Sequence, residues 1–310
     1  MGKTRSRHSR HYRKKRHSRH TKRRVGRRRH KSRRRHRTRR RNNKKGGADR
    51  VKEIFYNSGM KLSQLGMTAD NVHHREGEVF NIQKQENLQK IASNVLGNYG
   101  RIFAEYIHLQ DFRNDKLRKY ISIEGIEHLN HLKKLKKKAI FVSGHFNNFE
   151  LMAMQIEKAG IELATIYRPL NNVFLNRTME KIRTENICKN QIKKGRAGSR
   201  EIIKNVKNGK SIAIMIDQRV REGEKVNFFN HLATTTTIPA QLIKKYNCEL
   251  VPVYIERIRN NYFKMFISKP IKINNKKSII EITKFLNDLL ERMILKNIDQ
   301  WIWTHNRWKN

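Results

Sequence analysis

Residues 139–156 read Ala139-Ile140-Phe141-Val142-Ser143-Gly144-His145-Phe146-Asn147-Asn148-Phe149-Glu150-Leu151-Met152-Ala153-Met154-Gln155-Ile156. The first five residues form a short apolar run ended by a glycine, the pattern of a buried strand. Beyond the polar turn, apolar residues return in a helix-like run. The spacing therefore predicts a strand over 139–143 and a helix over 148–159, with Asn147 or Asn148 capping the helix. One His and one carboxylate, His145 and Glu150, lie five positions apart across the turn.

The same alternation extends outward. Further strands are expected over 162–167, 211–217, 249–256 and 262–268, with helices over 173–185, 197–208, 238–246 and 278–296. Upstream lie a short strand at Ile121–Glu124 and a basic helix ending in the Lys134 to Lys138 cluster. Such alternation predicts an α/β fold: a mixed, mostly parallel central sheet flanked by helices. A helical region precedes it, with an amphipathic helix over Val51 to Leu65 and a second over Phe80 to Phe112, broken near Gly97-Asn98-Tyr99-Gly100.

Charge divides the chain. Residues 1–45 hold 25 Lys and Arg and no Asp or Glu, more than half of the net +45. Their only sizeable apolar groups are Met1, Tyr12 and Val25, too few to offset the entropy of ordering. A disordered basic tail over 1–47 is expected, followed by one domain over 48–310. No run of 18 apolar residues occurs, so no membrane-spanning helix is expected, and no apolar core behind the first charges suggests a secretory signal. Cys188 and Cys248 stand 60 residues apart, which gives neither a disulfide framework nor a metal cluster.

The chemistry is expected where strands end, because α/β sheets open onto their ligands at the carboxyl ends of strands. His145 stands at such a tip. Glu150, in the first helical turn, can reach back to one ring nitrogen, leaving the other to take a proton from a hydroxyl. Backbone N–H groups at the helix start can steady an oxyanion. The competing reading makes His145 a loop residue and Glu150 a carboxylate favoured by the helix dipole. Arg168, before Pro169, offers a bidentate donor for phosphate, or is a surface cation in a basic protein. Asp217 ends another apolar strand, where it can orient Arg168 or a substrate, or simply form a turn. Thr234 to Thr237 read as a polar loop capping a helix. Trp301, Trp303 and Trp308, interleaved with His305 and Arg307, suit either ligand stacking, a membrane interface or core packing.

Taken in order, several segments resemble the bacterial lipid A biosynthesis acyltransferases, the lauroyl and myristoyl transferases of the lysophospholipid acyltransferase superfamily. They are Phe55-Tyr56-Asn57-Ser58-Gly59-Met60, His145-x4-Glu150, Tyr167-Arg168-Pro169-Leu170-Asn171-Asn172, Asp217-Gln218, Val226-Asn227-Phe228-Phe229-Asn230, Ala233 to Thr236, Val251-Pro252-Val253 and Gln300 to Trp308. Ordered motifs over about 250 residues are specific where a single one is not. The resemblance implies a glycerolipid acyltransferase-like fold and transfer of a fatty acyl chain from acyl-carrier protein or acyl-CoA to a hydroxyl of a lipid A precursor. It implies His145 as base and Glu150 as its partner, with no metal and no tightly held cofactor. Arg168 and Asp217 match the family's pocket blocks, and Asn148 and Gln218 are counted with them as substrate-binding candidates. Family members usually begin with an apolar anchor helix; here the polycation stands in that place, and the stretch from Asp217 to Glu224 is unusually charged.

A lipid acceptor requires a membrane, so a peripheral location on the cytoplasmic face is expected. The 278–296 helix, the Lys134–Lys138 cluster and residues 1–47 would supply contacts to anionic lipid. Nucleic acid is the other polyanion that residues 1–47 suit. The rival functions are a nucleic-acid-binding protein on an inactive acyltransferase fold, and a phospholipid acyltransferase.

Overall fold

The computed structural model describes residues 85–303 and 307–308. The basic tail, the boundary at residue 48, the expected 51–65 helix, residues 80–84 and His305 lie outside the described residues.

Helix α1 (Gln85–Glu105) leads through a 3-10 turn at Tyr106–His108 into α2 (Leu109–Arg113). No break occurs at Gly97 or Gly100. Each glycine costs the helix roughly 1 kcal/mol relative to alanine. Burial of Val95, Asn98, Tyr99 and Ile102 on either side outweighs that cost and keeps the helix continuous. Strand β1 (Ile121–Glu124) and α3 (Ile126–Lys134) come next. Gly125 between them has φ 85°, and an added Cβ would meet the Ile267 carbonyl oxygen at 2.0 Å, so only glycine fits this turn.

The central unit is β2 (Ala139–Ser143), α4 (Glu150–Lys158), β3 (Leu163–Tyr167), α5 (Val173–Asn186), β4 (Asn190–Lys193), α6 (Arg196–Lys207) and β5 (Ser211–Met215). A hairpin, β6 (Glu224–Phe228) and β7 (His231–Thr235), precedes α7 (Ile238–Tyr246), β8 (Glu249–Arg259), β9 (Tyr262–Ile267) and α8 (Ile279–Ile294). Most boundaries expected from the sequence hold within two or three residues. Other elements differ besides the unbroken α1. The short β4 and the hairpin strands β6 and β7 are additions to the expected strands, and Thr234 and Thr235 belong to β7 rather than to a capping loop. The first-turn cap of α4 is also absent: Asn147 and Asn148 direct their side chains to Gln300 and Glu105 instead.

Seven strands form one sheet in the order β1-β9-β8-β2-β5-β3-β4; β6 and β7 pair separately. Strands β8, β2, β5, β3 and β4 are mutually parallel, while β9 is antiparallel to β8 and parallel to β1. The mixed, mostly parallel sheet flanked by helices is thus present. Every residue of β2 is buried, as befits a central strand covered on both faces. No helix among the described residues is long and apolar enough to cross a membrane.

Strand order governs the site. β2 and β5 are neighbours in register, Ser143 beside Met215, and the Ile216 N–H donates to the Ser143 carbonyl at 2.9 Å. The residues leaving the carboxyl end of β5 therefore lie beside those leaving β2.

Candidate active site

Strand β2 runs out into Gly144-His145, and its neighbour β5 runs out into Ile216-Asp217. The His145 backbone N–H donates to Asp217 Oδ2 at 2.7 Å, and His145 Nδ1 lies 2.8 Å from Asp217 Oδ1. Trp301 Nε1–H donates to Asp217 Oδ2 at 2.9 Å. A carboxylate acceptor at Nδ1 places the ring proton there, so Nε2 carries the lone pair. Burial pushes the Asp217 carboxyl pKa up, but the His145 ring, its backbone N–H and Trp301 outweigh burial and hold it at about 2. Asp217 is therefore an anion at neutral pH even though its side chain is 2% exposed.

The imidazole itself keeps 18% of its surface open. Its ring stands edge-on to Phe149, centroids 4.7 Å apart. Among the described residues no hydrogen-bond partner faces Nε2.

The turn that presents His145 is tightly specified. Asn147 has φ 45°, a left-handed conformation that Asn tolerates better than most residues, and its Oδ1 accepts the Asn148 N–H at 3.1 Å. A segment near the C-terminus pairs with this turn: Phe146 and Trp301 form an antiparallel bridge, Asn147 N–H donates to the Gln300 carbonyl and Ile302 N–H to the His145 carbonyl. The backbone N–H groups of Phe146, Asn147, Asn148 and Phe149 are all bonded inside this arrangement. These four, which precede the first helical residue, are not free to face an oxyanion. Behind the turn, Glu105 accepts from Asn148 Nδ2 at 2.8 Å and pairs with buried Arg257 at 2.7 Å.

Glu150 does not reach His145 Nδ1. Its Oε1 accepts from Arg183 Nε at 2.9 Å, Arg183 Nη2 at 2.6 Å and the Tyr106 hydroxyl. Burial disfavours the Arg183 charge, yet the Glu150 carboxylate outweighs it and lifts the guanidinium above the ordinary arginine range. Burial, and then the Glu150 charge, raise the Tyr106 hydroxyl well above its usual value. This cluster joins α4, α5 and the 3-10 turn after α1.

A model of the family described as bacterial lipid A biosynthesis acyltransferase matches residues 54–310. The chain belongs to that family. It is also similar to the lipid A biosynthesis palmitoleoyltransferase of Escherichia coli (strain K12) and to a lipid A biosynthesis acyltransferase of Shigella flexneri. Each is 23% identical over 201 residues, covering 63% of this chain and 64% of the relative. The matched stretch thus spans just under two thirds of those relatives' length.

In this member of the family, the residues singled out in the sequence fall into two groups. His145 and Asp217 come together at the carboxyl ends of β2 and β5. Asp217 is turned onto the imidazole and Trp301, so it does not orient Arg168. Gln218 is half-buried beside it in the chain. Glu150 lies behind the turn with Arg183. Asn148, expected to bind substrate, is wholly buried, with its amide donated to Glu105. Arg168 is exposed one residue beyond β3, near Lys194, whose pKa is lowered by partial burial and then by the Arg168 charge. Trp301 and Trp303 pack in the core. Sequence reading missed the partnership of Asp217 with His145, together with Tyr106, Arg183 and Glu105. Only the Asp217 pairing left a trace, since both apolar runs end in polar residues of complementary chemistry.

Proposed function

We propose that this protein is an O-acyltransferase moving a fatty acyl chain from an acyl thioester, on acyl-carrier protein or coenzyme A, to a hydroxyl of a lipid A precursor or related glycolipid. Membership of the family supports the reaction class. The observation that carries the mechanism is the imidazole of His145, held at Nδ1 by an ionised Asp217, with no partner at Nε2 among the described residues.

The acceptor hydroxyl gives its proton to His145 Nε2 as its oxygen attacks the thioester carbonyl. The Asp217 carboxylate stabilises the imidazolium that forms, as a charge-assisted hydrogen bond does in a water-poor site. The C–S bond then breaks, and the departing thiolate takes the proton from the imidazolium. The products are an ester and a thiol. Cys188 is no nucleophile for a covalent route: it is fully buried, and desolvation pushes its thiol pKa up to about 12.

Attachment to the cytoplasmic face of an anionic membrane belongs to the same reading, because the acceptor is a lipid. Residues 1–45 would add attraction of about 1 kcal/mol for each basic residue near the surface. Incubation of purified protein with acyl-carrier-protein and coenzyme A thioesters and a lipid A precursor, read by mass spectrometry, tests the reaction. His145→Ala is expected to lower turnover by about 100- to 10,000-fold. A folded His145→Ala protein that acylates at the wild-type rate would overturn the mechanism.

A further inference from the structure

We propose that the start of α5 is the face that enters the lipid bilayer, seating the sheet's carboxyl edge on an anionic membrane. This rests on the lipid-acceptor reading above. The observation is a cluster: Leu170 is 38% exposed, Val173 61% and Phe174 84%. Among the described residues the other exposed large apolar side chains are spread singly along the chain, apart from the pair Ile258 and Tyr262 at the β8–β9 turn. Three within five residues, with the largest ring most exposed, need an explanation.

The cluster is held in shape. Asn172 Oδ1 accepts the N–H groups of Phe174 at 3.0 Å and Leu175 at 3.1 Å, and Leu170 N–H donates to Asn176 Oδ1 at 2.8 Å. The apolar tip is thus a fixed projection, so little ordering entropy opposes its insertion.

Charge around the tip identifies the partner. From Arg168 to Thr178 the chain carries two arginines and no acid. Residues three and seven positions after Phe174 share its helical face, and they are Arg177 and Lys181. Both are exposed, as is Arg168 on the other flank, and Lys181 also lies 3.7 Å from exposed Glu185, one turn further from the tip. Glu180 is directed elsewhere, to Tyr167, Asn176 and Lys193. An aromatic and aliphatic apex ringed by cations suits the boundary between headgroups and acyl chains, with guanidinium and ammonium groups on the phosphates.

Position completes the case. β3 is two strands from β2, about 10 Å across in the hydrogen-bonding direction, so the apex follows a strand that ends on the same sheet edge as His145. A lipid headgroup entering from that side meets the imidazole without leaving the bilayer surface. The helix and lysine cluster expected to serve this role are less suited. α8 buries Ile282, Leu286, Leu290, Met293 and Ile294 against the core and leaves Ile280 and, just beyond its end, Leu295 exposed singly; Leu135 is the only exposed large apolar side chain among residues 133–138.

Residues 1–45 will attract anionic vesicles whatever the domain does, so the test needs a local reporter in the full chain. Phe174→Trp is mixed with vesicles of phosphatidylglycerol and bromine-labelled phosphatidylcholine; Leu135→Trp, at an exposed apolar position before the amino end of β2, serves as control. The expected result is a blue shift of emission and loss of most of the added fluorescence for Phe174→Trp, with neither change for Leu135→Trp. Vesicle-bound Phe174→Trp protein that keeps a water-exposed, unquenched emission would overturn the proposal, including the case where an acidic protein covers this face instead. The readout does not depend on turnover: quenching with no acylation in any assay would defeat the reaction and leave this surface standing.

Discussion

At the scale of the residue, the decisive group is the Asp217 carboxylate. Its three donors, the His145 backbone N–H, the His145 ring and Trp301, account for an acid that remains ionised in a buried site. Its pKa of about 2 lies below the value of about 3.9 for a free aspartate, so ionised Asp217 stabilises the folded chain by about 2 kcal/mol. The sign comes from the depression: the contribution is complete above about pH 4 and disappears as pH falls through about 2. Asp217→Asn should therefore lower stability at pH 7, and its deficit against the wild type should shrink between about pH 4 and 2. Urea denaturation of both proteins at several pH values checks this; a deficit independent of pH would contradict it. Glu150 behaves differently. A carboxylate in the first helical turn was legible in the sequence, but its partner was not. Arg183 lies 33 residues further on and Tyr106 44 residues earlier, and neither sits in a recognisable pattern with it.

At the scale of the element, the turn between β2 and α4 gains its shape from a segment more than 150 residues later. Gln300 accepts from Asn147 Nδ2 at 2.6 Å and from the Arg257 N–H at 2.8 Å, and donates to the Arg257 carbonyl at 2.9 Å. This one side chain thus ties the His145 turn to β8. Gln300→Ala leaves those buried polar groups without partners, and should cost about 2 kcal/mol of stability. It should also lower turnover more than it raises KM, because the imidazole loses its fixed orientation while substrate-facing groups are unchanged. Denaturant titration and steady-state kinetics check both, and a Gln300→Ala enzyme with wild-type turnover would show that the clamp is dispensable. Strand and helix positions were readable here because hydrophobic period and glycine or proline punctuation are local signals. The β6–β7 hairpin was not, since its polar face and its Thr234 and Thr235 carry the composition of a loop. The unbroken α1 was hidden for the same reason in reverse: two glycines argue locally for a break that burial at Val95, Tyr99 and Ile102 overrides.

At the scale of the whole molecule, the fold class was readable from the alternation of strands and helices, while the site depended on strand order. Chain order places Glu150 nearest His145, and the pairing expected from sequence rests on that proximity. The sheet instead sets β5 beside β2, which brings Asp217 to the imidazole across 72 residues of sequence. Nothing in hydrophobic periodicity states which parallel strands are neighbours. The geometry separates the two carboxylates, with Asp217 on the imidazole and Glu150 bracing α4 against α5 through Arg183. Turnover of Asp217→Asn against Glu150→Gln, both assayed at a temperature where each is folded, tests that division most directly. Asp217→Asn is expected to lose about 100-fold or more, while Glu150→Gln stays within about tenfold of the wild type and melts at a lower temperature. An Asp217→Asn enzyme that turns over normally, beside a folded Glu150→Gln enzyme that is inactive, would contradict the account.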